Sequence, residues 1–241
     1  MQFTDSHIHL QDYKSKSAQQ IITDMKKNGF SKVICVSSQS DDWQKVADLA
    51  VLYPDFIIPS FGLHPWYISK KNDNWLSEIR QYLHKFPFSC VGECGLDRLK
   101  APTEEGQYDV FVKQLALAKE FNRPINIHAL KAEELFNDLW HEMPPKFLLH
   151  SFGGSLDFLQ KALKQGAYIS LSPSVLKRKN AFDIIKNIPS DRLLTESDAP
   201  YQSTYEQISE FISALAQIKN ISQQQLTSII YNNFQEFCHV R

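Results

Sequence analysis

The chain has 241 residues, 43% hydrophobic and 22% charged, with 8 glycines and 11 prolines, a composition that excludes collagen-like, low-complexity and disordered chains. With 26 basic against 27 acidic side chains the formal net charge is −1, so no global positive field coats the protein in nucleic acid and any recruitment of a polyanion has to be local. The length suits one large domain, close to the ~250 residues of an α/β barrel.

Met1 to His7 lacks the basic-then-apolar order of a secretory signal, and no apolar run approaches the ~18 residues of a membrane helix. A cytoplasmic protein without a membrane span is expected. Cys35, Cys90, Cys94 and Cys238 are few for this length, and Cys90 and Cys94 are not spaced as C-x-x-C, so buried, reduced thiols are expected.

In chain order, Phe3 to His7 reads as a strand, and Ser17 can cap a helix carrying Ile21, Ile22 and Met25 that Gly29 stops in a left-handed conformation. Further β-branched and aromatic runs follow at Lys32 to Val36, Phe56 to Phe61, Ser89 to Glu93, Ile125 to His128, Phe147 to His150, Tyr168 to Leu171 and Leu193 to Glu196. Each is trailed by a stretch of helical period. Eight such alternations predict an α/β fold, a TIM-type (β/α)8 barrel forming a single domain over residues 1–241. Ser203 with Glu206, then Ser222 with Gln225, have capping-box spacing ahead of two amphipathic stretches. The chain should therefore end on an outer helix and a last helix closing the far edge. No internal repeat, charge block or Gly/Ser linker divides it.

Polar residues that strand interiors do not favour stand at the ends of these runs. His7 and His9, two apart, project to one face, the inside of a barrel, where they can share a metal. Glu93 closes the fourth run between Gly92 and Gly95, and Asp97 follows in what reads as a turn, able at most to act behind a ligand. In the fifth run Ile125 and Ile127 face the helices while Asn126 and His128 face inward; His150 ends the sixth run just before Gly153 and Gly154. Asp198 stands at the mouth of the eighth run. Glu196 lies one pleat deeper, either fixing the tautomer of a metal-bound imidazole or forming a structural salt bridge. Four imidazoles and two carboxylates exceed what one tetrahedral ion needs. Two divalent metals are expected: one held by His7, His9 and Asp198, one by His128 and His150, with Glu93 bridging. Such mixed ligands accept Zn, Mn, Fe or, less comfortably, Mg.

The order H-x-H, G-E-C-G-L-D, I-H, H-S-F-G-G and E-S-D-A-P resembles the TatD family of metal-dependent deoxyribonucleases, within the amidohydrolase superfamily, over nearly the whole chain. The resemblance implies a binuclear barrel hydrolase with His7, His9, Glu93, His128, His150 and Asp198 as metal ligands. Glu93 and Asp198 are its catalytic carboxylates, Asp198 carrying the proton of the attacking water, and DNA or a small phosphodiester is its substrate. Gly62-Leu63-His64-Pro65 also looks like a family motif, which makes His64 a substrate contact if it is not merely part of a third-strand turn. Two departures weaken phosphate-facing polarity: Leu130 stands where an Arg commonly follows the fifth-strand His by two, and the segment after Pro200 lacks the usual Arg-Asn-Glu. Ser151 and Ser197 stand for a Cys and a Thr and leave ligation intact. Lys131, Lys177, Arg178 and Lys179 are candidate phosphate contacts near the mouth, each alternatively a solvated surface charge. The rival reading is a small-molecule ester, lactone or amide hydrolase of the same superfamily. A non-catalytic metal-binding or partner protein finds no ligand loss in its favour, and no obligate protein partner is evident.

Overall fold

A computed structural model describes residues 1–99 and 104–238. All eight anticipated runs are strands: β1 Phe3–Ile8, β2 Phe30–Val36, β3 Ile57–Phe61, β4 Cys90–Asp97, β5 Ile125–Leu130, β6 Phe147–Leu149, β7 Tyr168–Leu171 and β8 Leu193–Thr195. Each pairs in parallel with the next, in the order β1 to β8. The helices are α1 Ala18–Lys27, α2 Ser40–Leu52, α3 Trp75–Lys85, α4 Glu104–Glu120, α5 Leu156–Lys164, α6 Ala181–Asn187, α7 Ile208–Lys219 and α8 Gln223–Phe237. The sheet curls into a nearly closed TIM-type barrel. At the seam between β8 and β1 the Asp198 N–H donates to the His7 carbonyl at 3.0 Å and the His9 N–H to the Ala199 carbonyl at 2.9 Å. Three of the anticipated ligands are thereby tied to one another through backbone.

Ser17 caps α1 in a capping box with Gln20, and Gly29 follows with φ +85°, as the sequence predicts. Ser222 and Gln225 form the box that starts α8. The expected box at Ser203 and Glu206 is shifted by one residue: Thr204 pairs with Gln207, because the Ser203 hydroxyl is taken up by the Ser197 carbonyl. Two other elements differ from expectation. Between β5 and β6 the chain makes only short 3-10 turns, Glu133–Phe136 and Trp140–Glu142, in place of a full α-helix. Strand β4 also runs on through Asp97, so Asp97 lies in a strand and Glu93 in its middle. Pairing with β5 shifts register between Val91 and Cys94; Gly92 within that interval and Gly95 just after it take φ +120° and +146°. Only glycine adopts such angles without strain, so the strand continues across its own irregularity.

Ile125, Ile127 and Phe147 point outward into the layer shared with Phe111, Leu115 and Phe158 of the helices. Inside the barrel, Ile34, Ile58, Leu148, Tyr168 and Leu194 meet Phe234 and Phe237 of α8. The last helix thus plugs the end where the strands begin, pinned by Asn233, whose amide donates to the Ser190 and Leu193 carbonyls. Burying each such side chain contributes about 1.5–3 kcal/mol. The opposite end, where the strands finish, is left open. No helix among the described residues is long and apolar enough to cross a membrane.

Candidate metal centre

The carboxyl ends of the strands bring His7, His9, Glu93, His128, His150 and Asp198 together, all buried except the half-buried His128. Glu93 lies at the centre and its two oxygens face different partners. Oε2 is 3.4 Å from His7 Nε2 and 3.6 Å from His9 Nε2. Oε1 is 3.2 Å from His128 Nδ1 and 2.9 Å from His150 Nε2. Asp198 Oδ1 joins the first group, 3.8 Å from His7 Nε2 and 3.5 Å from His9 Nε2. The two groups of side chains expected from strand position are therefore present in space, with the Glu93 carboxylate between them.

Behind the imidazoles, acceptors fix which nitrogen carries the proton. The Asn126 amide donates to the Ser6 carbonyl at 3.0 Å, which turns its Oδ1 toward His7 Nδ1 at 2.9 Å. His7 is therefore protonated on Nδ1, with the Nε2 lone pair inward. Glu196 Oε1 lies 3.3 Å from His150 Nδ1 and also accepts from the Ser151 N–H, leaving His150 Nε2 bare toward Glu93. Asp97 Oδ2, 3.0 Å from His128 Nε2, does the same for His128. That oxygen is in turn held by the indole N–H of Trp66 at 2.5 Å. His9 is the exception: its Nδ1 has no hydrogen-bond partner, Asp12 Oδ2 being 4.0 Å away.

Toward the centre, His7, His128 and His150 turn bare ring nitrogens, and Glu93 and Asp198 turn carboxylate oxygens. His7 Nε2 and His9 Nε2 lie within hydrogen-bond distance at 3.1 Å, whereas His128 Nδ1 and His150 Nε2, both bare, stand 3.2 Å apart and within 3.2 Å of Glu93 Oε1. Acceptors packed this closely, away from water, repel one another unless positive charge sits among them. The titration of the site expresses the same demand. Burial works against charging His150, yet Glu93 and Glu196 lift its pKa well above the ordinary imidazole value. His128 and His9 are raised too, against burial, by Asp97 and Glu93 and by Asp198 respectively. Glu93 and Asp198, which burial alone would raise, are held low by the imidazoles around them. The donor set, imidazole nitrogens and carboxylate oxygens, is the one that divalent first-row metals take. His7, His9 and Asp198 offer ligand atoms that all lie within 4.8 Å of one another, as do His64, Glu93 and His128.

His64 is closer to this centre than a substrate contact need be. Its Nε2 is 3.2 Å from Glu93 Oε1, but its Nδ1 accepts from the Trp66 N–H at 3.1 Å. The proton must then sit on Nε2, so His64 faces Glu93 as a donor. Burial pushes its pKa down to about 4 and keeps it neutral. A cavity of about 350 Å³ opens over the centre, walled by Trp66, Tyr67, Leu130, Tyr201 and Gln202. Neither Lys131 nor Lys177 is part of its wall. Both are exposed beyond the rim, Lys131 with φ +53° at the end of β5 and Lys177 at the end of the Pro173–Lys177 turn. Sequence reasoning passed over Trp66, Tyr201 and Gln202. Tyr201 stands edge-on to His9 with its hydroxyl donated to Asp12, and the Gln202 Oε1 accepts from Ser151, Ser172 and Ser174. The dipeptide after Pro200 was the available signal, since it follows a strand-end carboxylate directly.

Comparison with known proteins agrees with this geometry. The family model for TatD related DNase matches residues 4–239. An uncharacterised metal-dependent hydrolase of Haemophilus influenzae is 28% identical, over 97% of this chain and 98% of its own. A 3'-5' ssDNA/RNA exonuclease TatD of Pectobacterium atrosepticum is 30% identical over 77% of this chain and 74% of its own. Among solved structures, a TatD homologue from Escherichia coli K12 superposes with a TM-score of 0.91 at 25% identity, covering 99% of this chain and 98% of that one.

Proposed function

This chain belongs to the TatD related DNase family, and from that premise we propose a divalent-metal-dependent hydrolase with a binuclear centre that cleaves phosphodiester bonds of nucleic acid. The observation that carries the reading is the Glu93 carboxylate, with Oε2 turned to His7 and His9 and Oε1 to His128 and His150. A carboxylate so placed would hold one ion together with His7, His9 and Asp198 and another together with His128 and His150. The chemistry such a pair of ions supplies is acidification of water and polarisation of a phosphoryl oxygen.

The chain's own residues do the rest. Asp198, kept ionised by His9 and His7 against its burial and open to the cavity, takes up the proton of the attacking water and returns it to the leaving oxygen. Neutral His64 presents its Nε2–H to Glu93 and to a substrate oxygen entering beside it, which is how it acts as a substrate contact. Asn126, Glu196 and Asp97 hold three imidazoles in the tautomers that ligation requires. Trp66, Tyr67 and Tyr201 shape an apolar mouth able to exclude water and stack on a base. Four unpaired, buried cysteines fit a reducing compartment, the cytoplasm.

Elemental analysis of the purified protein, with hydrolysis assays on single-stranded DNA, a small phosphodiester and a carboxylic ester, tests this reading. About two ions per chain and turnover of the phosphodiesters are expected. Efficient hydrolysis of the carboxylic ester with every phosphodiester untouched would replace it by the small-molecule hydrolase reading, which the apolar Leu130 in the cavity wall favours.

A further inference from the structure

Beyond the cavity rim, the segment after β7 collects positive charge. Residues 173–187 hold Lys177, Arg178, Lys179 and Lys186 against one carboxylate, Asp183, in a chain whose formal net charge is −1. Lys177, Arg178, Lys179 and Lys186 are all exposed, and no carboxylate lies within ion-pair distance of the three lysines among the described residues. Phe182, on the first turn of α6, is 54% exposed, with the Lys186 ammonium 5.6 Å from its ring centre. An aromatic ring left in water among cations is an unusual use of a large apolar side chain.

The segment is anchored rather than loose. Arg178 donates to the Gly153 carbonyl at 2.6 Å, which ties it to the loop that follows His150. Ser174, in the Pro173–Lys177 turn, reaches Gln202 Oε1 at 3.0 Å, and Gln202 is part of the cavity wall. The strip therefore begins at the rim and leads away from it. Among the described residues, the cavity wall holds no lysine or arginine. A space of about 350 Å³ sits at the small end of ligand pockets. A polymer cleaved there has to leave most of its charged backbone outside.

We propose that the strip formed by Lys177, Lys179, Phe182 and Lys186 is a docking surface for the phosphate backbone of single-stranded nucleic acid flanking the bond in the cavity. This rests on the nuclease reading above. The lysines neutralise successive phosphates, Phe182 stacks on a base between them, and Arg178 holds the segment in place. The small cavity and the exposed Phe182 ring favour an unpaired strand over a duplex, whose bases offer no free face.

The test measures binding of a fluorescent phosphorothioate oligothymidylate of about 12 nucleotides, resistant to cleavage, by anisotropy across a salt series to the metal-loaded protein. Lys177→Gln with Lys179→Gln is expected to reduce the slope of log K against log salt by about 1.4, and to weaken binding about 5-fold per lysine at 0.1 M salt. Phe182→Ala should weaken binding with the slope unchanged. A blunt duplex should bind more weakly than the single strand. Slopes equal to the parent's in the lysine variant, or equal affinity for duplex and single strand, overturn the proposal. The unaltered protein is assayed in parallel on a small phosphodiester, too short to reach the strip. Failure there and on unmodified single-stranded DNA alike overturns the nuclease reading, while the salt slopes still decide the strip.

Discussion

Glu93 separates the two halves of the centre and touches both, which gives it a different weight from any single imidazole. Glu93→Gln keeps the shape but removes the charge that faces His7 and His9 on one side and His128 and His150 on the other. It should lose both ions, where His150→Ala loses chiefly one; elemental analysis and competition titration with a chromogenic chelator distinguish the two outcomes. A Glu93→Gln protein that kept two tightly held ions and full activity would not have a bridging carboxylate there. Asp97 stands behind His128, a role its sequence position allows, but its place in a strand is one the sequence hides. The string Gly95-Leu96-Asp97 reads as a turn, and only the glycine angles that prolong β4 bring the carboxylate back to His128 Nε2. Asp97→Ala should weaken the ion on the His128 side by about 10–100-fold and leave the other in place. Trp66→Phe, which removes the indole N–H from Asp97 while keeping a ring, should move the same affinity in the same direction by less. The convergence of the six strand-end side chains was legible because strand alternation decides which side chains share a face, whereas the tautomer of His64 was not, since it depends on a backbone N–H two residues on.

At the level of elements, the legible features were those with a local cause. Capping boxes at Ser17 and Ser222 need only the side chains three residues apart, and both are present. The box at Thr204 in place of Ser203 was decided by Ser197, seven residues upstream of Thr204 and in contact only once β8 is paired. The shortened crossover between β5 and β6 likewise has no strong sequence mark, because Phe136 and Trp140 have helical spacing yet pack as two separate turns against Phe158 and Phe147. The register shift in β4 has the sharpest consequence. At Gly95, φ +146° is closed to other residues, and a Cβ there would fall onto the His128 carbonyl oxygen. Gly95→Ala should therefore destabilise the β4–β5 pair by about 3 kcal/mol or more and pull His128 off Asp97. Thermal unfolding of the metal-loaded protein would show a lowered midpoint. A midpoint within a degree or so of the parent would mean that the irregularity in β4 can relax and does not position the site.

For the whole molecule, the open end of the barrel carries a cost that the plugged end does not. Phe234 and Phe237 close one end with apolar contact, while the other holds buried carboxylates and imidazoles whose stability depends on what charge sits among them. Metal bound to the folded chain stabilises it by about 2.7 kcal/mol for each ion at a concentration 100-fold above its Kd. For a chain of this size two ions then raise the midpoint of unfolding by on the order of 10–20 °C, and a chelator should remove that increment. After chelation, protons on His9, His128 and His150 are the remaining source of positive charge. Their folded pKa values are raised, so this contribution is complete below the unfolded imidazole value and is lost as pH rises through the folded ones. Glu93, Asp97 and Asp198 are lowered, so theirs is present above the unfolded carboxylate range and is lost as pH falls through it. The chelated protein should accordingly be most stable between the two ranges, at mildly acidic pH. Metal competes with those protons, so the drop in midpoint on chelation should be larger at pH 8 than at pH 6, as differential scanning calorimetry with and without chelator can measure. A drop that is equal at both pH values, or larger at pH 6, would mean that the imidazoles do not exchange protons for metal and that the ions are held elsewhere.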